Sequence, residues 1–177
     1  PQRKLMEIVA KTGKPVILIN MTGSAMDLRF AEENFSAVVQ GWYPGARGGK
    51  AIAELLFGKY SFSGKLPVTF YNDSDELPAF TDYAMENRTY RYFTGGVLYP
   101  FGYGLTYGKT EVTKAEIRDD GEHYTITATV KNEGCAVHEI LQIYVRDNES
   151  EFAVRNHSLC AFKPVSLGAN ETCDVEI

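Results

Sequence analysis

GWYPGARGGKAIAELLFGKYSFSGKLPVTF, residues 41–70, reads as a strand end, a glycine-rich turn, a helix, a tight loop and a second strand. The run before it, SAVVQ at 36–40, is short and holds β-branched residues, and it ends at the aromatic turn Trp42-Tyr43-Pro44-Gly45. Gly48 and Gly49 open a helix expected over 50–57. Its apolar residues Ile52, Leu55 and Leu56 sit at i, i+3 and i+4, so one stripe faces a core. Gly58 stands where a helix stop is expected. Pro67 begins a strand at 68–70, a place where a missing N–H is tolerated. Strand, helix and strand in this order predict a parallel pair joined by a crossover.

A glycine-rich loop between strand and helix invites a phosphate-binding reading. GARGGK has no Ser or Thr after its lysine and lacks the G-x-G-x-x-G order, so neither phosphate spacing is present. The glycines read instead as allowing close helix–strand packing. A further reading is a loop that rims a sugar site, where Trp42 and Tyr43 offer flat apolar faces and Arg47 a forked donor.

Toward the N-terminus, LMEIVAK at 5–11 has helical spacing of Leu5, Ile8 and Val9, and Gly13 closes it. PVILIN at 15–20 is a continuous apolar run, as expected of a strand covered on both faces. A turn over 21–27 leads to a short helix at 28–34, with Gly23 and Ser24 making the turn and capping that helix. Residues 4–71 therefore read as doubly wound α/β. Ligands of such sheets sit beyond the carboxyl ends of the strands, here 20–24, 40–43 and 71–73. Ser24 has no G-x-S-x-G elbow around it, and all three histidines lie in the later β region, so it is not read as a nucleophile.

Toward the C-terminus, residues 72–108 lack periodicity but are dense in aromatics, among them Phe80, Tyr83, Tyr90, Phe101 and Tyr103. They read as a connector spread over two domains, with rings supplying burial. Part of it is also a candidate cleft lining, through Arg88, Tyr90 or Arg91. From Thr110 the period becomes two. Strands are expected at 112–118, 124–131, 139–146 and 160–165, with turns at Asp120-Gly121, Asn132-Glu133-Gly134 and Gly168-Ala169-Asn170, which together suggest a β-sandwich.

With 177 residues, one or two domains fit. A hydrophobic content of 44% suits a packed protein. A net charge of -5 argues against a nucleic-acid surface, and no apolar run is long enough for a membrane span. Pro1-Gln2-Arg3 reads as a cut into a longer sequence, so localisation stays open. Cys135, Cys160 and Cys173 fit no metal framework and are expected to be free and mostly buried. Asn20, Asn34, Asn72, Asn87, Asn148, Asn156 and Asn170 each begin an N-x-S/T triplet, an acceptor pattern for glycans in a secretory setting.

Residues 42–58, WYPGARGGKAIAELLFG, and then SGKLPVTF at 63–70, resemble the second domain of the family three glycoside hydrolases, the β-glucosidase and β-xylosidase group. Phe62 stands where that family usually has proline. RTYRYFTGGVLYPFGYGLTY at 88–107 is similar to the family's segment linking that domain to the next, and its form leans toward the β-xylosidase branch. VKNEGCAVHEILQIYVRD at 130–147 resembles the fibronectin type III-like domain that ends many members. The resemblance implies an α/β fold: a partial doubly wound α/β sandwich (1–72), an aromatic-rich connector (73–108) and a C-terminally incomplete fibronectin type III-like β-sandwich (109–177). It implies a retaining, exo-acting β-glycosidase that needs no cofactor. The nucleophilic aspartate would lie on a preceding (β/α)8 barrel, and the acid/base glutamate upstream of a segment like residues 1–5. Neither has a counterpart here, so no catalytic residue is assigned; Glu32/Glu33 and Asp73/Asp75/Glu76 read as solvated surface charge. Trp42, Tyr43 and Arg47 are the expected substrate-binding rim. The implied partners are a β-linked oligosaccharide or aryl glycoside and the barrel of the same enzyme, with homo-oligomer formation left open. A carbohydrate-binding module without catalysis and a structural assembly module are the alternatives. An incomplete sandwich would expose unpaired backbone, so instability of the chain alone is expected.

Overall fold

A computed structural model describes residues 1–177, and the chain divides where the sequence period changes. The first part holds α1 (Gln2–Ala10), β1 (Ile17–Asn20), α2 (Arg29–Asn34), β2 (Ala37–Gln40) and α3 (Gly48–Leu56). β1 and β2 run parallel in register Ile17↔Ala37 to Asn20↔Gln40, with α2 as the crossover. So the helix–strand alternation does build a parallel pair, one connection earlier than residues 41–70 suggested.

The next strand departs from expectation. β3 (Phe70–Tyr71) pairs antiparallel with β4 (Val97–Tyr99), not parallel with β2. Pro67 contributes no N–H, and the pairing starts only at Phe70, where a partner from the aromatic connector is within reach. That connector also holds a 3-10 turn at Ser74–Glu76 and the short helix α4 (Thr89–Tyr92). PVILIN is not covered on both faces either, since Ile17 and Ile19 are exposed. Ser24 does not cap α2, whose first turn is held instead by the Asp27 carboxylate accepting from Arg29 N–H at 3.1 Å.

The second part is all strand: β5 (Lys109–Asp119), β6 (Tyr124–Glu133), β7 (Val137–Val145), β8 (Ser158–Leu167) and β9 (Thr172–Glu176). One sheet has the order β5-β6-β9 and the other is the β7–β8 hairpin. Alternating side chains from both meet in one core of Ala128, Val130, Val137, Leu141, Val165, Leu167 and Val175. β9 lies where the sequence suggested only a turn and a chain end. Asn132, fully buried, joins the β6–β7 and β8–β9 turns at the edge of this core. Its Nδ2 donates to Cys135 O (2.8 Å) and Gly168 O (2.7 Å), and its backbone N donates to Glu171 O. The cysteines are free but not buried as expected: Cys135 and Cys160 are exposed and Cys173 half-buried.

The two parts are joined through residues 62–66 and 101–104. Leu66 N donates to Tyr103 O at 2.8 Å and Gly102 N to Leu66 O at 2.7 Å. Gly104 lies against the backbone of Gly64, an approach no Cβ would permit. From the β side, Gln142 Nε2 donates to Gly102 O at 3.0 Å. Lys65 Nζ meets the Glu139 carboxylate at 2.7 Å and Gly104 O at 2.7 Å, and Thr110 Oγ1 donates to Glu139 at 2.9 Å. The Lys65 and Glu139 side chains are 15% and 10% exposed, so this ion pair is buried where the parts meet.

Candidate functional site

The carboxyl ends of β1 and β2 lie side by side, as the parallel pairing requires. Asn20 Nδ2 donates to Gln40 Oε1 (2.6 Å) and Thr22 Oγ1 (3.0 Å), and Gln40 Nε2 donates to Thr22 O (3.1 Å). These polar groups satisfy one another and fix the spacing of the two strand ends.

From that base the chain turns at Trp42, whose φ of +51° lies in the left-handed region that bulky residues rarely adopt. Such strain persists only where surroundings enforce it. Here the Trp42 ring is set edge-on to Phe70 with centroids 6.3 Å apart. It lines a largely apolar cavity of about 720 Å³ together with Phe35, Leu66, Phe70, Tyr99 and Tyr103. Tyr43 departs outward, 80% exposed, with its ring over Gly23, where an added Cβ would come within 2.6 Å of it. Arg47 is exposed at the residue before α3 and makes no ion pair or side-chain hydrogen bond. Of the three expected rim residues, then, Tyr43 and Arg47 present free surfaces, while Trp42 is part of the packing beneath.

Three carboxylates, Asp27, Glu32 and Glu139, have firm partners. Asp27 is clasped by Arg29 through two hydrogen bonds of 2.9 Å, and this holds its carboxyl down at about 2. Glu32, a carboxylate in the wall of the large cavity, accepts from the Tyr99 hydroxyl; burial, and then the Glu32 contact, push that phenol well above its usual range. Glu139 borders a second cavity of about 370 Å³ between the two sheets, but it is neutralised by Lys65. Retaining glycoside hydrolysis needs two carboxyl groups ~5–5.5 Å apart, one free to attack and one to carry a proton. Glu32 and Glu139 are each tied to a partner in separate cavities and form no such pair. No group of three His, Cys, Asp or Glu side chains is placed to hold a metal ion.

Residues 88, 90 and 91, candidate cleft linings, make contacts within the chain. Arg88 donates to four backbone carbonyls of the loop before it. Tyr90 stacks on Phe101 with centroids 4.0 Å apart, and the Arg91 guanidinium lies 5.9 Å from the Tyr90 ring centroid. The stacked Tyr90 ring fits the reading of a connector whose rings supply burial, but sequence reasoning missed the Arg88 brace and the Lys65–Glu139 pair, because these depend on backbone carbonyls that no residue type advertises or on partners distant in sequence. Several N-x-S/T asparagines are likewise engaged: the amide nitrogens of Asn34, Asn87 and Asn156 donate to Phe30 O, Glu76 O, and Tyr90 O with Phe93 O. Glycan attachment replaces one amide hydrogen, so on Asn156, which donates two, it would break a structural hydrogen bond.

The family described as "Glycosyl hydrolase family 3 C-terminal domain" matches residues 1–107, up to the start of the β region. A xylan 1,4-beta-xylosidase of Xylanibacter ruminicola is 40% identical over 99% of this chain, which spans 21% of that protein. A periplasmic beta-glucosidase of Salmonella typhimurium is 32% identical over 96% of this chain and 24% of its own length. Among solved structures, a beta-glucosidase of Bifidobacterium adolescentis superposes with a TM-score of 0.89 at 28% identity, over 98% of this chain and 28% of the other. The chain therefore spans about a fifth to a quarter of the curated relatives it matches.

Proposed function

The chain belongs to glycosyl hydrolase family 3, and from that premise we propose that it is the C-terminal part of a retaining, exo-acting β-glycosidase that removes terminal β-linked xylose or glucose. The observation that carries this reading is a likeness, over 98% of this chain, to a stretch making up 28% of a β-glucosidase, in a segment whose one buried carboxylate, Glu139, is paired with Lys65. The nucleophile and acid/base belong to a (β/α)8 barrel and adjoining segment of the same enzyme. Residues 1–72 are the closing half of its α/β sandwich domain, 73–108 the connector, and 109–177 a fibronectin type III-like domain. Two sheets sharing one core in the order β5-β6-β9 and β7-β8 support that last assignment.

In this reading the chain's residues wall and position rather than react. Trp42, fixed on Phe70, sets the floor of the rim; Tyr43 offers an exposed ring and Arg47 a free guanidinium toward the leaving-group side of the cleft. The Lys65–Glu139 joint holds the β domain against the layered half, and so keeps that rim at a constant height. Binding contacts of this kind contribute through orientation, where small displacements cost large factors in rate. The test is the parent enzyme shortened to end before Pro1, assayed on aryl β-xylosides and β-glucosides. Loss of turnover is expected; unchanged kcat/KM would refute the role. Tyr43→Ala with Arg47→Ala in the parent is expected to raise KM several-fold with little change in kcat.

A further inference from the structure

The helix α4 spans only Thr89–Tyr92, and a helix this short does not stand alone in water. Its two ends are held from opposite sides by the two parts of the molecule. On the layered side, Thr89 N donates to the Tyr71 hydroxyl at 2.9 Å. The buried Phe93 ring lies edge-on to Tyr71 with centroids 4.8 Å apart. From the β side, the loop between β7 and β8 reaches across. Asn156 Nδ2 donates to Tyr90 O (2.9 Å) and Phe93 O (2.8 Å), and Asn156 N donates to Arg91 O (2.9 Å). One residue thus takes three carbonyls of the last turn, groups that a helix leaves without partners of its own. Leu159 N donates to the Tyr90 hydroxyl at 3.1 Å and completes the hold.

The segment gripped in this way is strained. Thr89, although β-branched, has a φ of +55°, and Asn87 a φ of +53°. Backbone in that region persists only where its surroundings enforce it. We propose that the β7–β8 loop is a latch with Asn156 as its catch. Residues 85–94, α4 included, are ordered while Asn156 is seated, and its release opens them as one unit while the layered part and the β core stay folded. Segments that open independently have few buried contacts, and within 85–94 only Phe93 is buried. The Lys65–Glu139 joint uses other residues, so it holds when the latch opens. The latch does not depend on the glycosidase reading.

The test is hydrogen–deuterium exchange of the parent enzyme, read by mass spectrometry on peptides covering 85–94 and, as reference, 124–133 in β6. Asn156→Ala removes both side-chain donors and is expected to speed exchange at 85–94 about tenfold or more, with 124–133 unchanged. Asn156→Asp keeps the size but has no amide hydrogen to donate, and the same result is expected. Tyr90→Phe keeps the ring on Phe101 but loses the acceptor for Leu159 N, and a several-fold acceleration is expected. Thr89→Asn relieves the strained backbone without touching the catch, and is expected to slow exchange at 85–94 several-fold. Three results would overturn the proposal. The first is unchanged exchange at 85–94 in both Asn156 variants. The second is exchange raised equally at 124–133, which makes Asn156 an ordinary support of the β core. The third is exchange in Thr89→Asn no slower than in the wild type.

Discussion

Lys65→Met tests how the two parts of the molecule are held together. In the wild type the Lys65 ammonium is closed in by Glu139 and Gly104 O, each at 2.7 Å. Replacing it with an apolar chain of similar length leaves the Glu139 carboxylate 10% exposed, with only the Thr110 hydroxyl (2.9 Å) and Ile140 N–H (2.7 Å) as partners. Removing one member of a buried pair costs about 3–5 kcal/mol, and the residual solvent access at Glu139 places this site at the lower end, about 3 kcal/mol. For a chain of this size that is roughly 6–12 °C in Tm. Adding Glu139→Gln removes the stranded charge but keeps an acceptor for Thr110, so the double variant should lose only about 1 kcal/mol. Urea unfolding is the assay, followed by two probes. Trp42 is the one tryptophan and reports the layered part; far-UV dichroism reports the strands. In the wild type the two transitions should coincide, and in Lys65→Met they should separate. A single-variant loss under 1 kcal/mol, or a double variant as damaged as the sum of the singles, would refute the reasoning.

Asn132→Ala removes donors from Cys135 O and Gly168 O inside the β core and should cost about 2–3 kcal/mol in the same melts, with the folded-state spectrum unchanged. Thr89 carries a φ of +55° although β-branched; Thr89→Asn relieves that backbone and should raise stability by about 0.5–1 kcal/mol, measured by calorimetry. Asp27, whose folded carboxyl is lowered to about 2 by Arg29, contributes stability that is present above the unfolded value near 4 and is lost as pH falls toward 2. Its side chain is 52% exposed, so the contribution is about 0.2–1 kcal/mol. Asp27→Asn should therefore be slightly less stable than wild type at pH 7 and indistinguishable from it near pH 2.

The parallel pair, the helix after Trp42 and the four longest β strands were legible because apolar periodicity and turn residues mark them directly. Partner choice was not. Phe70–Tyr71 looks like any short strand, and only the connector folding back brings Val97–Tyr99 beside it. Continuous apolarity in PVILIN suggested cover on both faces, yet two parallel strands leave Ile17 and Ile19 open. At the candidate rim, residue types located Trp42, Tyr43 and Arg47 but gave no direction. The left-handed backbone at Trp42 sends its ring inward onto Phe70 while Tyr43 points out. Arg88 looked like a ligand donor and is a brace, because its acceptors are main-chain carbonyls that every residue carries.

The most direct measurement is turnover of p-nitrophenyl β-D-xylopyranoside and β-D-glucopyranoside by the purified 177-residue chain alone. With Glu32 held by Tyr99 and Glu139 by Lys65, no product above the buffer blank is expected. Turnover by the chain itself, abolished by replacing any one of its own carboxylates, would contradict a wall-and-scaffold role.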